Sequence, residues 1–138
     1  MIRIAVIDGQ GGGIGSLITR RLKEDLGDRI EIIALGTNST ATTAMMKARA
    51  NKGATGENAI RWNIRRVDVI TGPLSIMMAN GMMGELTPKV AEAITSATAK
   101  KILLPLNQED VEVLGTEKEP LPHLIEKLIE RIKEVVHV

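Results

Sequence analysis

The pattern of apolar and polar positions predicts a strand, a glycine-rich turn and a helix at the start of the chain. Residues 2–7 form a run that is apolar apart from Arg3, typical of a strand buried on both faces of a parallel sheet. From Ile14 onward, Leu17, Ile18 and Leu22 recur at helical spacing, and Gly27 provides a natural helix end.

The rest of the chain repeats this alternation of strands and helices. Strands are predicted at 29–35, 59–62, 67–71, 101–106 and, more weakly and at a sheet edge, 111–114. Helices are predicted at 41–48, from Leu74 to a stop at Gly84, from Thr87-Pro88 to about Ala97, and at 119–136, with a polar loop at 51–58. The expected fold is α/β: a single three-layer Rossmann-like domain over residues 1–138, with a mostly parallel, doubly wound sheet.

Composition limits the core and the chemistry. The 138 residues fit one domain, and they include no Cys, Phe or Tyr and a single aromatic residue, Trp62. The core is therefore expected to consist of Ile, Leu, Val, Ala and Met. Disulfides, thiolate metal sites, cysteine nucleophiles and mechanisms based on a tyrosine acid or base are excluded.

Charge gives no indication of a nucleic acid or membrane partner. Eighteen basic and seventeen acidic residues leave a net charge of +1. We interpret the local cluster of Arg61, Arg65 and Arg66 as a solvated face, on the premise that no stacking aromatic residues accompany it. The amino terminus lacks the features of a signal peptide, and no apolar run reaches membrane-spanning length, so a cytoplasmic protein is expected.

The loop after the first strand, IDGQGGGIG, has five glycines in the seven residues from Gly9 to Gly15. Unpaired amides and the helix dipole at such a position attract an anion, so the loop is predicted to bind the phosphate of a nucleotide. The alternative is a purely structural turn from strand to helix. Because no lysine follows the glycines, the loop is not a Walker motif.

The spacing of Gly9, Gly13, Ile14 and Gly15 is Gly-x-x-x-Gly-Ile-Gly, which resembles the cofactor loop of short-chain dehydrogenases. This resemblance implies a pyrophosphate beside the loop. The rest of that family's pattern is missing, since the chain has no tyrosine for a Tyr-x-x-x-Lys pair and is much shorter. We therefore carry over the binding geometry only.

NAD-binding Rossmann units often place an acidic residue for the ribose at the end of the second strand. This chain offers Gly36, Thr37 and Asn38 there, with no neighbouring arginine for a 2′-phosphate. Thr37 and Asn38 are predicted to bond a ribose hydroxyl or a 2′-phosphate weakly. NAD(P) is therefore one candidate cofactor, and another nucleotide remains open.

Other loops should meet the glycine loop at the same edge of the sheet. They are Thr37-Asn38, Thr71-Gly72-Pro73 and Leu106-Asn107-Gln108, because ligands bind beyond the carboxyl ends of parallel strands. The predicted nucleotide-binding set is Gly9, Gln10, Gly11, Gly12, Gly13, Ile14, Gly15, Thr37, Asn38, Gly72 and Pro73.

Several titratable residues have alternative interpretations. Asp8 is interpreted first as a cap of the turn, and otherwise as a Mg²⁺ ligand or a group that orients a substrate hydroxyl. Glu57 with Asn58 is interpreted as part of a solvated loop before a ligand contact or an acid, and His123 as an exposed or capping residue before a catalytic base. No catalytic set is assigned, and no cluster of metal ligands is predicted.

Met77, Met78, Met82 and Met83 flank Asn80-Gly81 in the helix predicted after Leu74. Methionine on more than one helix face indicates core packing on one side and a subunit contact on another, so a homo-oligomer is expected. The second functional hypothesis is accordingly a non-catalytic assembly or regulatory module in which the glycine loop is only a turn.

Taken together, IDGQGGGIG, IIALGTN, GATGENAI, VDVITGP, and KKILLPLN with EPLPHLIE resemble an uncharacterised bacterial family of small proteins of unknown function. The resemblance spans essentially the whole chain. It implies a stand-alone Rossmann-like domain and brings no established activity, substrate or catalytic residue.

Overall fold

A computed structural model of the chain describes residues 1–106, 110–116 and 118–138. Within them, five parallel strands form one sheet in the order β3-β2-β1-β4-β5. The strands are β1 Ile2–Asp8, β2 Ile30–Gly36, β3 Lys52–Thr55, β4 Val69–Pro73 and β5 Lys100–Leu104. The α-helices are α1 Gly13–Leu26, α2 Ser39–Lys47, α3 Glu57–Asn63, α4 Pro88–Ser96 and α5 Leu121–Val136.

Helices cover both faces of the sheet, and alternate residues of β1 contribute to two separate cores. Ile4 and Val6 pack in a core with α1, α2 and α5, whereas Ala5 and Ile7 pack in a core with α3 and α4. The architecture is the three-layer, all-parallel α/β domain that the sequence predicts. The buried apolar residues are Ile, Leu, Val and Ala with two methionines, Met45 and Met82, which confirms the predicted core composition.

Strand order reverses next to β1, whose neighbours are β2 on one side and β4 on the other. The chain passes from β1 through the glycine loop into α1 at this switch point, which is where open α/β sheets bind ligands.

Two assignments between α2 and β4 are wrong. The predicted polar loop at 51–58 contains β3, and the predicted strand at 59–62 lies within α3. The side chains of β3 are mostly exposed, so their polarity gives no strand pattern, and pairing with the buried β2 makes the segment a strand. The run 59–62 is too short to show whether its apolar residues repeat with the period of a helix or of a strand. Ile60 is the one residue of α3 that is buried.

The prediction of a methionine-containing helix from Leu74 to Gly84 is also wrong. The chain forms a short 3-10 turn, Leu74–Met77, followed by turns. Asn80, Met82 and Met83 have φ of 65°, 56° and 58°, values that a right-handed helix excludes. Asn80-Gly81 combines two poor helix formers at the point where the helical turn ends.

The remaining differences are smaller. Val111 forms only an isolated bridge and a turn follows at 114–115, so the strand predicted at 111–114 is absent from the sheet. Strand β5 ends at Leu104, immediately before Pro105, and α5 begins at Leu121 rather than at residue 119, after Pro120. Leu17, predicted on the inner face of α1, is exposed.

Candidate functional site

The glycine loop lies at the carboxyl end of β1 and leads directly into α1. Gly12 is the residue before the helix and has φ of +73°, a conformation that favours glycine. Its amide donates to the Gly9 carbonyl at 2.9 Å, which closes a tight turn. The loop is therefore an ordered turn whose backbone bonds can be assigned one by one.

The buried carboxylate of Asp8 closes this loop onto the strand. One oxygen accepts from the Gly9 amide at 2.8 Å, and the other accepts from the Gly15 amide at 2.7 Å. Burial raises the pKa of Asp8, although the two amides oppose the shift. These bonds confirm that Asp8 caps the turn, and both carboxylate oxygens are engaged in doing so.

Three of the five loop glycines are required by the fold. A Cβ at Gly9 would lie 2.5 Å from Thr37 Oγ1, one at Gly12 would lie 2.8 Å from the Ala41 Cα, and one at Gly15 would lie 2.6 Å from Met45 Sδ. Each distance is shorter than real Cβ contacts allow. These glycines let β1, α1 and α2 approach one another.

Gly11 and Gly13 are different, because the fold does not require glycine at either position. A Cβ on either residue would meet nothing within 4 Å, and neither has a positive φ. A glycine that meets neither a steric nor a conformational demand leaves its backbone open to close approach from outside the chain. The space over Gly11 and Gly13 is therefore the part of the loop best suited to a ligand.

The amides around this open space lack acceptors. Gly12 and Gly15 donate within the loop, but among the described residues no acceptor bonds the amides of Gly11, Gly13 and Ile14. Gly13 and Ile14 begin a helix of 14 residues, so the positive end of its dipole adds to these donors.

Between Gly9 and Gly11, the loop contacts Glu85 through Gln10. The Glu85 Oε1 atom accepts from the Gln10 amide at 2.9 Å, from Thr37 Oγ1 at 2.8 Å and from Asn38 Nδ2 at 2.7 Å. Burial alone would raise the pKa of Glu85, but these three hydrogen bonds together outweigh burial and lower it. A half-buried, ionised carboxylate therefore lies at the carboxyl end of β2.

The predicted pair Thr37 and Asn38 does reach the glycine loop. Asn38 Oδ1 caps α2 by accepting from the Ala41 amide at 2.8 Å, and Nδ2 also donates to the Gln10 carbonyl at 3.0 Å. The Thr37 hydroxyl and the Asn38 amide thus bond other parts of the protein and hold Glu85 in place.

The predicted residues Gly72 and Pro73 are buried at the end of β4. A Cβ at Gly72 would lie 2.3 Å from the Ile7 carbonyl oxygen, so close packing against β1 accounts for glycine there. Their role as ligand contacts stays a prediction. The hydroxyls of Thr71 and Ser75, on either side of this pair, are buried and have no hydrogen-bond partner among the residues that the structure describes. Asn107 and Gln108, predicted to lie at the same edge of the sheet, are outside the described residues.

The other titratable candidates lie elsewhere in the fold. The Thr87 hydroxyl donates to Glu57 at 2.5 Å, so Glu57 ties α3 to the start of α4. The described part of the chain holds no group of three or more His, Asp or Glu side chains that could bind a metal ion. Within it, no helix is long and apolar enough to cross a membrane.

The premise that no stacking aromatic residue accompanies the arginine cluster is wrong. Arg66 stacks over Trp62 at 3.6 Å from the ring centroid, so an aromatic residue does accompany the basic side chains. Trp62, Arg61 and Arg65 line a cleft with Asn58 between α3 and α4. One aromatic ring beside exposed arginines gives no repeated stacking surface for bases.

Sequence reasoning missed Glu85. It is separated from Thr37 by 48 residues, and it lies between the helix predicted to stop at Gly84 and the helix predicted to open at Thr87-Pro88. No motif marks it, so its role emerges only when the segment 78–86 folds back over Gly9.

Fold and loop together define a Rossmann-like α/β domain with a glycine-rich turn at its switch point. The model of the family described as Domain of unknown function (DUF3842) matches residues 3–137, and the chain belongs to that family. No curated protein matches the chain significantly.

A solved structure with a similar fold is that of a dodecameric FMN-dependent Ubix-like decarboxylase from Escherichia coli O157:H7. The two chains are 15% identical, and the match has a TM-score of 0.56 over 100% of this chain and 95% of that one. At this identity the likeness concerns the fold.

The two kinds of loop glycine should respond differently to alanine. Gly15→Ala should lower the free energy of unfolding by about 1–3 kcal/mol, since its methyl group would press on Met45 and Asp8. Gly13→Ala should leave it unchanged or raise it by up to about 1 kcal/mol, because the methyl group enters open space at a helical position. Urea denaturation of both variants measures the difference, and equal destabilisation would show that the fold also requires glycine at 13.

The lowered pKa of Glu85 predicts a loss of stability in acid. Since the folded value lies below the ordinary value of 4.5, the contribution of Glu85 is complete above 4.5 and is lost as the pH falls through the folded pKa. Asp8, whose pKa is raised, acts in the opposite direction. Comparison with Glu85→Gln cancels the part of the Asp8 shift due to burial and its two amides, and leaves only the smaller part due to the Glu85 charge.

The difference in unfolding free energy between the wild type and Glu85→Gln should be constant near neutral pH and should shrink below pH 4.5. Denaturation at a series of pH values measures it, with the exposed Glu92→Gln on α4 as the control. A difference that does not change with pH would mean that the three donors do not stabilise the ionised form of Glu85.

Proposed function

We propose that this protein binds a nucleotide or dinucleotide, with a phosphate over Gly11, Gly13 and Ile14. The observation that carries the proposal is the combination of three unbonded amides with two glycines that the fold does not require. The structural alternative, in which the loop only turns the chain, accounts for Gly9, Gly12 and Gly15 but gives no reason for Gly11 and Gly13.

Electrostatics favour an anion at this position despite two nearby carboxylates. The charge on Asp8 is already balanced by two amides, and the charge on Glu85 by three donors, none of which is one of the three free amides. Hydrogen bonds to a charged group contribute about 1.5–3 kcal/mol each, so three free amides at a helix start provide a net attraction for phosphate.

The proposal is for binding and names no reaction. Both oxygens of Asp8 are engaged and Glu57 is bonded to Thr87, so the structure offers no support for either as a free base. Which nucleobase the ligand carries is left to experiment. NAD(P) is a candidate ligand because of the loop spacing, and FMN is a candidate because the structural neighbour is FMN-dependent.

Homo-oligomerisation stays a prediction, although the helix on which it was based is absent. Met82 is buried in the core, whereas Met83 is 90% exposed and remains available for a contact. The neighbour of similar fold is dodecameric. Cytoplasmic location and bacterial origin are likewise part of the proposal.

Binding can be tested by calorimetry with inorganic phosphate, ADP, GDP, NAD, NADP and FMN. Gly13→Val should weaken binding at least about tenfold, since its side chain would fill the space over the amides while the fold persists. Leu17→Val, a β-branched substitution at an exposed position of the same helix, should bind like the wild type.

Equal affinity in Gly13→Val and the wild type would place the site elsewhere. Absence of binding by the whole panel at millimolar concentration would refute the proposed function. Thermal unfolding of each variant checks that the domain is intact.

A further inference from the structure

The Glu85 side chain is held by one oxygen and leaves the other unused. All three of its donors, Gln10 N, Thr37 Oγ1 and Asn38 Nδ2, bond Oε1. Within the described residues, Oε2 takes part in no hydrogen bond or ion pair. A carboxylate fixed in this way presents one oriented acceptor to whatever lies beside the loop.

The position of this acceptor is informative. In Rossmann domains, the acidic residue that bonds the ribose hydroxyls lies at the end of the second strand, beside the glycine loop. Here that strand ends in Gly36 and is followed by Thr37 and Asn38, and these two residues hold Glu85. The carboxylate that the second strand lacks is thus supplied by the segment after β4, 47 residues beyond Asn38.

The polarity of the loop changes along its length in the order that a nucleotide requires. The amides of Gly11, Gly13 and Ile14 are donors that no described residue accepts from. The amide of Gln10 is already bonded to Glu85, so the free polar atom at that end is an acceptor. Donors suit a phosphate and an acceptor suits the hydroxyls of the adjoining sugar.

An alternative is that Glu85 imitates the phosphate and blocks the site until a ligand displaces it. The contacts argue against this interpretation, because the donors that Glu85 uses are not the three free amides. A phosphate over Gly11 and Gly13 would leave every bond of Glu85 in place.

The backbone around Glu85 adds support. Asn80, Met82, Met83 and Gly84 all have positive φ, and three of them are not glycine. Such conformations are unfavourable for residues other than glycine and persist where the surrounding structure enforces them, often at functional sites. Met82, which is 4% exposed, anchors the segment in the core and brings Glu85 over Gly9.

We propose that Glu85 recognises the ribose of the bound nucleotide through its 2′-hydroxyl and excludes a 2′-phosphate. The proposal rests on the proposed function and names the specificity of that same site. Thr37 and Asn38 are positioning residues, since they orient Glu85. A ribonucleotide with a free 2′-hydroxyl is the ligand class that follows.

Two ligand pairs that each differ only at the 2′ position test this proposal by calorimetry. The wild type should bind ADP roughly ten- to a hundredfold more tightly than 2′-deoxy-ADP, and should prefer NAD to NADP. Glu85→Gln keeps the size of the side chain and removes its charge, and it should bring both ratios to within about threefold of unity. Glu92→Gln, on the exposed face of α4, should keep the wild-type ratios.

The wild-type ratios need no variant, so a misfolded Glu85→Gln would leave the test intact. Equal affinity of the wild type for ADP and 2′-deoxy-ADP, with both weakened by Gly13→Val, would overturn the role of Glu85 and leave the proposed function standing. Tighter binding of inorganic phosphate to Glu85→Gln, with unchanged nucleotide ratios, would show that Glu85 imitates phosphate. Binding of none of these ligands would remove both proposals.

Discussion

The site depends on one buried carboxylate. Asp8 is 5% exposed, and it bonds the amides at both ends of the glycine loop, Gly9 and Gly15. A buried carboxylate is costly unless its oxygens are bonded, so these two amides must face inward for the fold to form. With its ends held in this way, the loop leaves the amides of Gly11, Gly13 and Ile14 without an acceptor in the described part of the chain. The proposed phosphate site rests on these three amides.

Most of the fold follows from periodicity because the core elements are strongly patterned. Strand β1 has four consecutive buried apolar residues before Asp8, and α5 has an apolar stripe ending in Val136, so both could be located from the sequence. The edge strand β3 could not, since its side chains are mostly exposed and only pairing with β2 makes it a strand. Local pattern fails where tertiary pairing decides the conformation.

The candidate site was predictable in part, and for a similar reason. The loop from Gly9 to Gly15 and the pair Thr37-Asn38 follow buried strands, and the rule that parallel strands end at one edge brings them together. Glu85 follows no strand directly and carries no motif. Its place depends on the left-handed turns around Met82 and Met83, which the amino-acid types do not indicate. The sequence offers no acidic residue directly after β2, and only the tertiary fold brings Glu85 to that end of the strand.

Nuclear magnetic resonance of the backbone amides during titration with ADP tests the central claim most directly, because it reports on each loop residue separately. Saturable shifts should be largest at Gly11, Gly13 and Ile14, whose amides are free, and small at Gly9 and Gly15, whose amides are bonded to Asp8. Shifts confined to another surface, such as the cleft around Trp62 and Arg65, would contradict the account, as would saturable binding that leaves these three amides unchanged.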